Sequence, residues 1–190
     1  MRIVGGRLGG RVLPAEPPSG VRPTADRVRE ALASALEARG AFREARVLDL
    51  FAGTGALSFE ALSRGASRAV LVEKNPKVRQ ALTENARALS VEDDVTVLPL
   101  DLFSDRARVV EAIAPHGPFD LVFADPPYAE FYKLGALLDA MAEASLFGED
   151  ALIALEGPAS QPARATLRLA PVRVYRYGDT LVSLFEPTRR

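Results

Sequence analysis

The sequence predicts an α/β protein whose core is a mostly parallel sheet with helices on both faces. Three observations predict it. Five short apolar runs recur between Val47 and Glu156. Longer stretches of helical period separate them. The carboxy-terminal part changes to two β-rich runs joined by only two residues, Gly178 and Asp179.

Composition sets the bounds. The 190 residues are 48% apolar and 26% charged. A chain of this size forms one domain with a small appendage and buries roughly 70% of its unfolded surface. Such a core needs no staples, and there is no cysteine to make one. The absence of cysteine also excludes thiolate nucleophiles and Cys-based metal or redox sites. The single histidine, His116, cannot build a His-cluster site, so no metal is expected. The longest stretch without a charge, Leu50 to Phe59, has ten residues. A spanning helix needs about 20, so no membrane partner is expected. Met1–Gly6 lacks the apolar core and cleavage site of a secretory signal, and a cytoplasmic monomer is the expectation.

The net charge of −1 conceals an asymmetry. Residues 1–24 carry Arg2, Arg7, Arg11 and Arg22 against Glu16, a net +3. Residues 151–190 carry six arginines against three acids, also +3, which leaves −7 between them. Basic ends around an acidic body suit an anionic partner, although ordinary solvated surface has the same composition.

The elements follow in order. Arg2–Val4 and Arg11–Leu13 flank Gly5-Gly6-Arg7-Leu8-Gly9-Gly10 and predict a small hairpin, with the paired glycines supplying its turn. Pro14, Pro17, Pro18 and Gly20 make a linker, so residues 1–21 are read as an extension and 22–190 as the main domain. Thr24 is placed as the cap of a helix with Val28, Ala31, Leu32, Ala35 and Leu36 on one face, ended by Gly40. The strands Val47–Phe51, Ala69–Glu73, Val95–Leu100, Phe119–Ala124 and Ala151–Glu156 then alternate with helices over Ala56–Arg64, Pro76–Leu89, Ser104–Ala114 and Phe131–Ala144. Right-handed crossovers wind these into a doubly wound sheet. Val172–Tyr177 and Thr180–Phe185 form a hairpin that turns the last strand antiparallel, for seven strands in all.

Four constellations carry chemistry. The first is Asp49-Leu50-Phe51-Ala52-Gly53-Thr54-Gly55, a strand running into a Gly-x-Gly turn and a helix. Glycines let backbone approach a ligand beside a helix N-terminus. The third glycine of the dinucleotide fingerprint is absent, because Ser58 stands at that offset. The second is Glu73, 20 residues after Gly53 at the end of the next strand and followed by Lys74. A carboxylate there can accept hydrogen bonds from ribose hydroxyls. The third is Asp101-Leu102 at the tip of the third strand, suited either to an adenine amine or, with Ser104, to capping the next helix. The fourth is Asp125-Pro126-Pro127-Tyr128, leaving the fourth strand at its carboxyl end, where ligands bind in such sheets. The lone pair of an exocyclic purine amine is conjugated into the ring. The Asp125 carboxylate and the Pro126 carbonyl can accept its two N–H bonds and favour a pyramidal, nucleophilic nitrogen. Two prolines stiffen this corner, and Tyr128 offers a ring on which an extruded base can stack.

Asp49–Gly55, Glu73, Asp101 and Asp125–Tyr128 resemble the S-adenosylmethionine (SAM)-dependent amino-methyltransferases. Gly5-Gly6…Gly9-Gly10-Arg11, Arg22-Pro23-Thr24-Ala25-Asp26-Arg27-Val28-Arg29-Glu30, Glu60–Ala66 and Tyr177-Gly178-Asp179-Thr180 narrow the resemblance to the bacterial 16S ribosomal RNA guanine-N2 methyltransferase family, over nearly the whole chain. The resemblance implies a Rossmann-like class I methyltransferase fold with an RNA-holding amino-terminal extension. It implies SAM as donor and a 16S rRNA guanine, guanine 966, as acceptor in the small ribosomal subunit or an assembly intermediate. By position, Gly53 and Gly55, with Phe51, Ala52 and Thr54 around them, would face the methionine part of SAM. Asp49 would contact its amino end, Glu73 with Lys74 the ribose, and Asp101 with Leu102 the adenine. Asp125–Tyr128 would take the target base. Arg2, Arg7, Arg11, Arg22 and Arg27, with Thr24 in the same segment, are the candidate RNA contacts. The acidic loop Glu92-Asp93-Asp94 is expected to face away from RNA.

Other activities share parts of this pattern. Adenine-N6 methylation of DNA or RNA would use the same tetrapeptide, but the chain lacks the length for a target-recognition domain. Protein-glutamine methylation would, by resemblance, place Asn at position 125. An NAD-dependent oxidoreductase would use the glycine turn and Glu73 while leaving Asp125–Tyr128 idle. A ribosome-assembly binder would need no tetrapeptide at all.

Overall fold

A computed structural model describes residues 1–15, 26–160, 166 and 168–188. Arg22, Thr24 and most of the proline linker lie outside the described residues, as does the side chain of Arg27. The chain forms two compact units, residues 1–100 and 101–190.

The first unit holds three parallel strands, β1 (Arg46–Asp49), β2 (Arg68–Val72) and β3 (Val95–Leu98), in the order β3-β2-β1. Val47, Leu48 and Ala69–Val72 are buried, as both faces of a covered parallel sheet require. Three helices accompany them: α1 (Asp26–Glu37), α2 (Ala56–Ser63) and α3 (Pro76–Leu89). α3 spans the predicted residues. Asn75 caps it by accepting from the Lys77 N–H at 2.9 Å, Pro76 opens it, and Ser90 ends it in the left-handed region at φ 57°. Its inward stripe is Val78, Ala81, Leu82, Asn85, Ala86 and Leu89.

α2 is buried on more than one side, from Ser58 through Ser63. Part of its cover is the amino-terminal segment. The predicted hairpin is present in reduced form. Arg2 and Val12 make one antiparallel bridge, and a 3₁₀ turn over Gly6–Leu8 fills the loop between them. Ile3, Leu8 and Leu13 point into the core. The Glu60 carboxylate of α2 is 1% exposed and accepts the N–H groups of Val4 (2.8 Å) and Gly5 (2.9 Å). Arg64 neutralises it at 2.8 Å and also pairs with Glu37. A buried charge persists only with such partners. Ser63 Oγ accepts from the Leu8 N–H at 2.9 Å and donates to the Gly5 carbonyl. The paired glycines therefore serve more than a turn. A Cβ on Gly6, at φ 73°, would lie 2.0 Å from the Ser63 carbonyl oxygen, and one on Gly5 would lie 2.4 Å from the Arg64 guanidinium.

The second unit holds α4 (Arg106–Ile113), β4 (Phe119–Ala124), α5 (Leu134–Glu143), β5 (Phe147–Pro158), β6 (Leu169–Tyr177) and β7 (Thr180–Pro187). Its strand order is β4-β5-β7-β6. β4 and β5 are parallel, and β7 runs antiparallel to both its neighbours, as expected for the last strand. The seven strands and the terminal hairpin are those predicted. Several boundaries differ by a few residues, three of them as follows. Asp105 rather than Ser104 caps α4, accepting from Ala107 and Arg108 N–H groups. β5 begins four residues early because Gly148, Glu149 and Asp150 extend it despite their polarity. The helix expected over Phe131–Ala144 is a 3₁₀ turn over Tyr128–Lys133 followed by α5.

Candidate active site

In the first unit, β1 ends at Asp49 and the chain turns through Leu50–Gly55 into α2. Asp49 is buried and accepts from Ser58 Oγ at 2.8 Å, which ties the strand end to the helix. The two glycines have different causes. Gly55, at φ 86°, is required by packing, because a Cβ there would sit 2.4 Å from the Phe59 ring. Gly53, at φ 53°, faces open space: a Cβ there would meet no atom within 4 Å. The backbone at Gly53 is thus bare towards any molecule that approaches it.

Glu73 closes the other side of that turn. One carboxylate oxygen accepts the Gly53 N–H at 3.2 Å and the other accepts the Asn75 N–H at 2.7 Å. The half-buried carboxylate is therefore oriented and can still accept bonds from a vicinal diol. Ala52 donates to the Val72 carbonyl at 3.0 Å, holding the β1 and β2 ends together. Thr54 is buried, Phe51 is half-buried and Lys74 is exposed. The Glu73 and Lys74 carbonyls both accept from Arg79.

Asn85 escaped the sequence reading. It is fully buried on α3, and its Nδ2 donates to the Thr54 carbonyl (3.2 Å) and to the Ala15 carbonyl (3.1 Å). Its Oδ1 accepts the Ala15 N–H at 2.9 Å. One amide thus pins the glycine turn and the end of the amino-terminal segment. Its trace in the sequence is an amide within the apolar stripe of a helix.

The described arginines of the extension meet protein groups. Arg11 donates to the Leu89 carbonyl at 2.9 Å and to the Ala88 carbonyl, capping the negative end of α3. Arg7 donates to the Leu62 carbonyl at 3.4 Å and pairs with Asp94 at 3.2 Å. Arg2 donates to the Gly10 carbonyl. The expectation that Arg7 faces RNA while the Glu92–Asp94 loop faces away sets against each other two side chains that the structure joins.

In the second unit, Asp101 is exposed and Leu102 is buried. Asp101 Oδ1 accepts the Phe103 N–H at 3.1 Å and its carbonyl accepts from Ser104 Oγ at 2.6 Å. Because Asp105 caps α4, Asp101 is not needed for that task. Asp125–Tyr128 leaves the carboxyl end of β4 with Asp125 half-buried, Pro126 buried, and Pro127 and Tyr128 exposed. The Pro127 carbonyl accepts the Glu130 N–H at 2.8 Å, which starts the 3₁₀ turn. Phe131 anchors that turn on β5: a Cβ at Gly157 would lie 2.5 Å from the Phe131 ring. Lys133 pairs with Glu130 at 3.1 Å and lies 5.2 Å from the centre of the Phe103 ring, so it bridges the Asp101 loop and the turn. The hydrogen bond to Glu130 holds its ammonium above the usual lysine range. Tyr128 reaches across to β7, its hydroxyl 3.4 Å from Thr180 Oγ1.

Among the described residues no cluster of acids and histidines could hold a metal ion, and no helix is long and apolar enough to cross a membrane. Comparison with known proteins agrees with the fold. "Putative rRNA methyltransferase YlbH" of Bacillus subtilis is 34% identical over 187 residues, 98% of each chain. "Ribosomal RNA small subunit methyltransferase D" of Escherichia coli is 40% identical over 129 residues, 67% of this chain and 60% of that protein. The solved structure of "Putative methyltransferase yhhF" from Escherichia coli superposes with a TM-score of 0.79 at 32% identity, covering 98% of this chain and 97% of that one. The fold is therefore that of the Rossmann-like methyltransferases, as the tetrapeptide and glycine turn imply. A family model described as "Conserved hypothetical protein 95" matches residues 1–186, and the chain belongs to that family.

Proposed function

We propose that the protein transfers a methyl group from SAM to the exocyclic N2 of a guanine in the 16S rRNA of the small ribosomal subunit. The observation that carries the reading is the Asp125–Tyr128 corner: a half-buried carboxylate, a buried proline and an exposed ring at the carboxyl end of a parallel strand. The names of the relatives support rRNA as the substrate, and the resemblance of the motifs supports guanine N2.

The residues of the first unit suit the donor. Gly53 leaves its backbone bare, and Glu73 presents an oriented carboxylate for the ribose hydroxyls. Asp49 is tied to Ser58 beside the same turn; in the second unit, exposed Asp101 would accept from the adenine amine. When bound, SAM supplies an electrophilic methyl on a sulfonium. The work of this chain is positional. Asp125 and the Pro126 carbonyl accept the two amine N–H bonds, draw electron density back to nitrogen and aim its lone pair. Tyr128 stacks on the base and replaces neighbours lost on extrusion. No covalent enzyme intermediate is needed.

The Asp125→Ala variant tests this, assayed for methyl transfer to unmodified small subunits. Loss of a preorganised acceptor should lower kcat by about 10²–10³ while SAM affinity, measured by calorimetry, stays near wild type. Asp125→Asn keeps one acceptor oxygen and should fall between. Full activity in Asp125→Ala would refute the reading. Tight binding of NAD in place of SAM would favour an oxidoreductase.

A further inference from the structure

We propose that the face of β6 bearing half-buried Tyr177 and Tyr175 and exposed Arg173 is a single-stranded RNA track leading away from the base-binding corner, with the two tyrosines as stacking platforms and Arg173 as its cationic end. This inference deepens the proposed function and rests on it for the identity of the RNA.

Alternate residues of a strand share a face, so Arg173, Tyr175 and Tyr177 project together. The contacts bear this out. The rings of Tyr175 and Tyr177 lie 6.5 Å apart with planes 14° from parallel. The Arg173 guanidinium lies 5.8 Å from the centre of the Tyr175 ring. β6 ends the strand order, so nothing pairs with its free side within the unit. Tyr177 stands opposite Thr180 in the β6–β7 register, and opposed residues project on the same side. Thr180 is also the residue that Tyr128 touches. One line of side chains thus runs Tyr128, Thr180, Tyr177, Tyr175, Arg173, from the candidate base pocket along the strand.

The chemistry favours RNA over other partners. Flat rings beside a guanidinium are how sequence-tolerant proteins hold single strands, through stacking and backbone charge. Among the described residues Arg173 forms no ion pair with a carboxylate, so its charge remains available to a phosphate. Arg176 projects on the opposite face of the strand, where it donates to the Gly178 carbonyl at 3.2 Å. Charged side chains at a free edge also discourage pairing with another chain, but that role needs no aromatic rings.

Fluorescence anisotropy with a labelled single-stranded RNA of ten nucleotides, on the full chain, tests the track. Tyr175→Ala and Tyr177→Ala should each weaken binding about tenfold, and Tyr175→Phe should stay within about twofold because it keeps the ring. Arg173→Ala should reduce the salt slope by about 0.7 log unit per log of salt. Thermal melting identifies any variant that loses its fold. The proposal is overturned if wild type does not bind the RNA, if Tyr175→Ala binds like wild type, if Tyr175→Phe is as weak as Tyr175→Ala, or if polyglutamate of equal length is bound as tightly as the RNA. Methyl transfer to small subunits, run in parallel, separates the two claims. Active wild type with unaffected variants would reject the track alone. Ring-dependent RNA binding without any transfer would reject the methyltransferase reading and leave the track standing.

Discussion

The two ends of the chain carry the same net charge, +3 over residues 1–24 and +3 over residues 151–190, yet use their arginines differently. At the amino end, Arg2, Arg7 and Arg11 donate to carbonyls or a carboxylate of the protein and help seat a segment on α2 and α3. On β6, Arg173 lies over a tyrosine and Arg176 meets a turn carbonyl, with no acid paired to either among the described residues. Charge composition proposes an anionic partner, and the partners of each guanidinium decide where such a partner can be met. On this account the described arginines of the extension act through stability, while Arg173 of β6 acts through binding.

The largest effect that would sharpen the contrast is at Glu60. Glu60→Ala leaves the Val4 and Gly5 N–H groups and the buried Arg64 without their acceptor, and should cost about 3–5 kcal/mol in urea unfolding. A cost within ordinary surface scatter would mean the segment is not held through this carboxylate. Gly6→Ala comes next, because it forces a side chain into the left-handed region and against the Ser63 carbonyl. About 1–3 kcal/mol should be lost, read from the same unfolding curves. Arg11→Ala is the smallest: removal of the α3 cap should cost about 0.5–1 kcal/mol. Its RNA salt dependence should match wild type, and a slope reduced as in Arg173→Ala would break the contrast.

The sequence made the fold legible wherever local signals agreed with the tertiary environment. α3 carries its cap, its proline and its stripe, and β4 is an apolar run stopped by Asp-Pro, so both occur over the predicted residues. The positions of the candidate motifs were legible for the same reason: each sits at a strand end that the alternation of elements already located. What escaped depends on contacts remote in sequence. Gly5-Gly6 reads as turn chemistry, and only the approach of Ser63 and Arg64 reveals the packing demand. Asn85 reads as a polar interruption of an apolar stripe until Thr54 and Ala15 are found beside it. The 3₁₀ turn over Tyr128–Lys133 has helical composition, but Phe131 is held by Gly157 and the regular helix begins only at Leu134.

The most direct measurement follows the methyl group itself. The purified full chain is incubated with SAM labelled in the transferred methyl and with small ribosomal subunits from a strain lacking the gene, and the RNA is digested to nucleosides. The account predicts label in N2-methylguanosine from 16S rRNA, lost with Asp125→Ala. Label in N6-methyladenosine, or in ribosomal protein with none in RNA, would contradict it.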